Sequence, residues 1–270
     1  MGFKEQLNEI LHKLPVENRQ TLLFSATLPQ SLVEFARAGL QSPVLIRLDT
    51  ESKLSDKLKL AFIQCRIEDK LSILIYLLNN IIKAVKNPAH ESQDSNKQLE
   101  QTIIFVATKH HVEFLRELLE NLGFFVSYAY SSLDQTARQI NIAKFQNKKT
   151  SIMIVTDVAA RGIDIPMLNN VINLNFPAKA KLFVHRVGRV ARAGQTGNSF
   201  SLVSQDELPY MHELHEFLTK PIKFATEDMG KDDWNEVYGS VPQAIIDVEK
   251  DTIKSLLETK NELVLNFFAF

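Results

Sequence analysis

Apolar positions at Phe3, Leu7, Ile10, Leu11 and Leu14 recur with the period of a helix, and Pro15 closes the run. T-L-L-F-S-A-T at residues 21–27 then reads as a short apolar strand running into small hydroxyl residues. A second helix is predicted from Pro29, which suits a first helical turn, to Gly39, which suits a C-cap. Pro43–Ile46 reads as another strand, and residues 49–59 are polar enough to be a linker. Beyond it the pattern becomes regular. Apolar runs at 60–65, 102–107, 124–130, 151–156, 170–176 and 199–203 alternate with helical patterns at 70–85, 109–122, 134–145 and 179–191. Several of the runs are apolar on both faces, as strands covered by helices on both sides must be.

That order predicts an α/β domain over residues 60–224, with a parallel sheet and right-handed crossovers. Residues 86–101 (K-N-P-A-H-E-S-Q-D-S-N-K-Q-L-E-Q) are poor in apolar side chains and read as a surface insertion. Residues 225–270 form a C-terminal extension that is helix-like from Thr252 to Leu263, with Trp234 a packing residue. Two strands and two helices cannot close a sheet by themselves. Residues 1–48 are therefore expected to be the last pieces of another α/β domain whose beginning lies outside the chain.

Composition narrows the function. The chain has 270 residues, a formal net charge of −1 and one cysteine, Cys65, so there is no internal disulfide and no global attraction to polyanions. No apolar run reaches the ~18 residues that span a bilayer, so no membrane role is expected. A polyanion site must be local. One basic stretch exists: from Thr156 to Phe200, Arg161, Lys179, Lys181, Arg186, Arg189 and Arg192 outnumber Asp157 and Asp164.

In an open α/β sheet, ligands bind beyond the carboxyl ends of the strands. Ser25 and Thr27, Thr108, the run T-D-V-A-A-R-G-I-D-I-P at 156–166, and the arginine run K-L-F-V-H-R-V-G-R-V-A-R all fall at such ends. Each has a bland alternative. The hydroxyls can simply cap helices, Asp157 can pair with Arg161 at i, i+4, and the arginines can form a solvated face. On a helix spanning 179–191, His185, Arg189 and Arg192 would share one stripe, with Gly188 in mid-helix and Arg186 off the stripe, bracing the loop around Asp157. His110 and His111 fit a helix N-terminus better than a metal site, because no Cys or carboxylate stands at ligand spacing.

S-A-T, I-I-F-V-A-T-K, Q-T-A-R, T-D-V-A-A-R-G-I-D and H-R-V-G-R-V-A-R resemble, in this order, the third to sixth motifs of the DEAD-box RNA helicases, over about Gly2 to Phe224. Swi/Snf-type DNA translocases share a G-R-x-x-R element, but the run from Thr156 followed by H-R-x-G-R points to the DEAD-box group. F-V-A-T-K-H-H, F-P-A-K-A-K-L-F and V-P-Q-A-I-I-D resemble the nucleolar subgroup tied to large-ribosomal-subunit assembly. The resemblance implies two RecA-like domains with ATP, Mg2+ and single-stranded RNA across their cleft. It makes Arg189 and Arg192 arginine fingers and puts Asp164 against the ribose side, with Gly162 near nucleotide and RNA. His185 would link to the first domain, Ser25 and Thr27 would couple hydrolysis to RNA strain, and Thr156, Arg138, Thr108 and Gly162 would hold RNA phosphates. Ala191 stands where the family has glycine, a change expected to be tolerated on a helix. No G-x-x-x-x-G-K-[ST] and no D-E-A-D occur in the chain. The chain is thus expected to be inactive without an N-terminal RecA-like domain, and the alternative is a non-catalytic module docking on RNA or pre-ribosomal partners.

Overall fold

The computed structural model describes residues 4–15, 19–22, 44, 46, 54–86, 100–160, 168–191, 194–226 and 235–259. The chain divides into two units, residues 1–51 and 52–270. In the first, helix α1 (Lys4–Lys13) carries a Glu9–Lys13 ion pair one turn apart, and Ile10 and Leu14 are exposed. Of the strands and helix expected at 21–46, the described residues Thr21, Leu22, Val44 and Ile46 belong to no strand, and the last three are exposed; the others, Ser25 and Thr27 among them, lie outside the described residues.

In the second unit all eight strands are parallel: β1 (Leu58–Gln64), β2 (Thr102–Val106), β3 (Val126–Ala129), β4 (Ile152–Thr156), β5 (Asn170–Asn173), β6 (Gly197–Val203), β7 (Lys223–Phe224) and β8 (Val237–Ser240). Their order across the sheet is β3-β4-β2-β5-β6-β1-β8-β7. Six of them meet the sequence expectation. β7 closes the stretch read as the domain, and β8 falls in the extension and pairs directly with β1, so this part of the tail is built into the sheet. β1 also starts at Leu58, inside the stretch read as linker, because Leu58 pairs with Gly197 and is buried.

Alternating side chains feed two cores. Ile103, Phe105, Met153 and Val155 point to one face and Ile104, Val106, Ile152 and Ile154 to the other. This period of two, with both sides apolar, is what an interior parallel strand requires. Helices α2 (Lys70–Tyr76), α3 (Lys109–Asn121) and α8 (Gln243–Thr259) cover the second face. Helices α4 (Gln135–Gln146), α5 (Asp157–Ala160), α6 (Ala180–Val187) and α7 (Leu208–Leu218) belong to the first. The helix expected at 70–85 is cut short: after Tyr76 the turns widen to π geometry over Leu77–Ile81, and Lys83 has a positive φ. Helix α8 starts at Gln243, nine residues before the predicted helical pattern. Among the described residues no helix is long and apolar enough to cross a membrane.

Candidate functional site

Because every strand is parallel, all carboxyl ends lie along one edge of the sheet. β2 stands between β4 and β5, although the chain visits β3 and β4 before β5, so the ends of β2, β4 and β5 adjoin at the centre.

Helix α6 packs on the first face of the sheet. Ala180, Phe183, Arg186 and Val187 form its buried side. Phe183 is fully buried and stacks on Phe62 of β1, with ring centroids 6.1 Å apart and Phe176 at 5.9 Å. The aromatic cluster fixes α6 and so fixes Arg186, which is only 4% exposed. A guanidinium at that depth needs partners, and all three of its nitrogens have them. Nε and Nη2 donate to the two carboxylate oxygens of Asp157 at 2.6 and 2.8 Å. Nη1 donates to Asn173 Oδ1 at 3.0 Å and to the Asn175 carbonyl at 2.7 Å. The charge also lies 5.0 Å from the Phe105 ring centroid, a cation–π contact. One side chain thus ties together the ends of β4, β5 and β2. Asn175 Oδ1 extends the lock by accepting from the Ala107 N–H, and Asn173 donates to Ser201 on β6.

Around the lock stand the other predicted residues. Thr156 is the buried last residue of β4, next to Asp157. Arg138, on α4, donates to the Ala159 carbonyl at 2.9 Å, so it lies against α5 beside Thr156. Thr108 follows β2 and caps α3, its hydroxyl oxygen accepting from the His111 N–H at 3.2 Å. The capping alternative therefore holds for Thr108. Its hydroxyl hydrogen is not used in that bond. Burial, then the charges of His110 and Lys70, push the His111 pKa below the ordinary histidine value. His185 is exposed on α6 and Arg189 is half-buried beyond its end. Gly162, Asp164 and Arg192, with Arg161, lie outside the described residues.

The helix that would align His185 with Arg189 in one stripe ends before Arg189. The helix ends at Val187, and Gly188 is its C-cap, not a mid-helix residue. Arg189 sits in a turn, its carbonyl accepting from the Leu168 N–H, and Val190 makes a parallel bridge to Leu168. Ala191 has φ of +55°, so it is not helical either. The brace assigned to Arg186 does form. The two asparagines that complete it were missed, although polar residues inside the run N-V-I-N-L-N-F were a signal, since buried amides require partners.

Chemically the edge offers guanidinium and hydroxyl donors for phosphate. Among the described residues no group of three or more His, Cys, Asp or Glu could hold a metal ion.

Comparison with known proteins gives this edge a context. Residues 69–194 match the family described as the Helicase conserved C-terminal domain. The chain is 50% identical to ATP-dependent RNA helicase DDX54 of Mus musculus, over 97% of this chain and 29% of that protein. It is 52% identical to the ATP-dependent RNA helicase ddx54 of Dictyostelium discoideum, over 94% of this chain and 24% of that protein. The chain therefore spans less than a third of either relative. Among solved structures, S. cerevisiae Dbp5 bound to RNA and ADP BeF3 shares the fold at TM-score 0.66 and 24% identity, covering 95% of this chain and 60% of that one. The C-terminal domain of Dbp5 matches at TM-score 0.51 and 25% identity, over 74% of this chain and 98% of that one. With the motifs and the parallel sheet now in place, the chain belongs to the DEAD-box ATP-dependent RNA helicases and carries their RecA-like helicase C-terminal domain.

Proposed function

We propose that this chain supplies the second half of an RNA-dependent ATPase cleft. The observation that carries the reading is the Arg186–Asp157 lock, which sets Thr156 and the α5 turn beside Arg138 at the carboxyl edge, while the chain leaving α6 carries Arg189 to Leu168 and Gly197 at the amino ends of β5 and β6. In this assignment Arg189 and Arg192 reach the γ-phosphate of ATP and stabilise the charge that develops during its transfer. Asp164 faces the ribose side with Gly162 near it, and His185 contacts the partner domain. Thr156, Arg138, Thr108 and Gly162 hold the backbone of single-stranded RNA, which positions the strand without reading its sequence. Residues 1–48, with Ser25 and Thr27, belong to the end of the first RecA-like domain and couple it to the RNA. ATP carries the phosphoryl group to be transferred, and Mg2+ is held by the domain that contributes a P-loop. By resemblance the setting is the nucleolus and the wider partners are pre-ribosomal particles.

The test is RNA-stimulated ATP turnover. The 270-residue chain alone should show none, since it contains no G-x-x-x-x-G-K-[ST]. A DEAD-box first domain added in trans should restore turnover, and Arg189→Ala or Arg192→Ala should then remove roughly a thousandfold or more. Turnover by the chain alone sinks the inactivity claim. RNA binding without rescue in trans would favour a non-catalytic RNA-binding module.

A further inference from the structure

Three buried charged side chains lie away from the lock, and they form two ion pairs that share one turn of helix. Lys70 Nζ meets Glu207 Oε2 at 2.6 Å, with the two side chains 7% and 11% exposed. Asp69, the preceding residue, is 3% exposed and pairs with Lys250 of α8, whose own side chain is 37% exposed. The first turn of α2 is therefore held from two directions, by the C-terminal extension through Asp69 and by the loop after β6 through Lys70.

Glu207 passes the connection on. Its Oε2 also accepts from the Ser204 N–H at 3.0 Å and the Ser204 hydroxyl at 2.9 Å, while Oε1 accepts from the Phe176 N–H at 2.9 Å. Phe176 follows Asn175, whose carbonyl accepts from Arg186. A series of ion pairs and hydrogen bonds, joined by the peptide links Asp69–Lys70 and Asn175–Phe176, thus runs from Lys250 through Asp69, Lys70, Glu207, Phe176 and Asn175 to Arg186. We infer that Lys250 of the C-terminal extension is a positioning residue for the arginine helix α6, acting through this series.

The physical basis is the intolerance of buried charge. Without the Lys250 ammonium, the Asp69 carboxylate is buried and unpaired, and it must take up a proton or turn outward. Either response moves the turn that carries Lys70. Glu207 cannot follow Lys70 without loosening the Phe176 amide, because one carboxylate serves both. The exposed stem of Lys250 makes it the end of the series that can be altered without opening the core.

Amide hydrogen exchange on the full chain reads this directly. Lys250→Met keeps the aliphatic stem and removes the charge. It should speed exchange about two- to thirtyfold at Phe176 and through 182–188 as well as at the start of α2, and Lys250→Arg should restore protection. Faster exchange confined to α8 and Asp69, with 175–188 unchanged, overturns the inference. Lys250→Gln serves as an independent variant should Lys250→Met fold poorly. A second arm rests on the function proposed above. With a first domain in trans, Lys250→Met should lower kcat with KM for ATP unchanged, and Lys250→Arg should recover it. Absence of turnover by the unaltered chain with the first domain added would count against that function, while the exchange result would still judge the series by itself.

Discussion

Arg186 gives up solvent on every side, and its environment makes no allowance for a lesser cation. Lysine in its place keeps the charge but has no planar fork, so the bidentate match to Asp157 and the bonds to Asn173 and Asn175 cannot all be met. Arg186→Lys should cost about 3 kcal/mol in chemical denaturation. His215 presents the opposite problem. Its Nδ1–H donates to the Lys220 carbonyl at 3.3 Å, and its buried Nε2 has no hydrogen-bond partner. Burial, the largest cause, pushes its pKa below the ordinary 6.5. The unfolded ring thus takes up a proton at pH values where the folded ring does not. Stability from this group is complete above the ordinary histidine pKa and declines as pH falls through it. Denaturation midpoints should drop between about pH 7 and 5, and His215→Phe should flatten the drop. At this scale the sequence was a partial guide. The Arg186–Asp157 brace could be read from two opposite charges in neighbouring motifs. Lys70, Glu207 and Asp69 could not, because each looks like an ordinary charge at a helix end until the fold buries it.

The element where reading and structure part is the arginine helix. Its apolar spacing, Val184, Val187, Ala191, continues past Val187, so a periodicity argument carries the helix onward. What stops it is a contact from elsewhere in the chain, the bridge between Val190 and Leu168. The consequence falls on Ala191. At φ of +55° a side chain is a burden, which gives a physical reason for the glycine that the motif has at this position. Ala191→Gly should therefore raise stability by about 1 kcal/mol, measurable as a shift in denaturation midpoint without a change in slope. Beneath the turn, Gly197 opens β6 where a Cβ would lie 1.9 Å from Val190 Cγ1, so the turn is pressed onto bare backbone. Neither requirement is visible in a stretch that reads V-A-R-A-G-Q-T-G.

For the whole molecule, alternation of apolar runs and helical patterns was sufficient for fold class, since long two-sided strands leave few other architectures. The extension was another matter. β8 has four residues, too short to signal, and becomes a strand only because β1 offers it an edge. Helix α8 then buries Ile246 and Ile253 against Ile73, Leu74 and Leu78. Removing residues 241–270 should cost about 4 kcal/mol or more by loss of those two side chains alone, seen as a lower midpoint of thermal or urea unfolding. The position of β1 has a consequence in time. Its neighbours are β6 and β8, whose pairing residues are 197–203 and 237–240. A chain emerging from the ribosome makes Leu58, Leu60 and Phe62 long before either neighbour exists, a wait on the order of ten seconds at ordinary elongation rates. For that interval a sticky, unpaired segment must be shielded or tolerated, so slowing translation between β1 and β6 should lower the soluble yield of this protein.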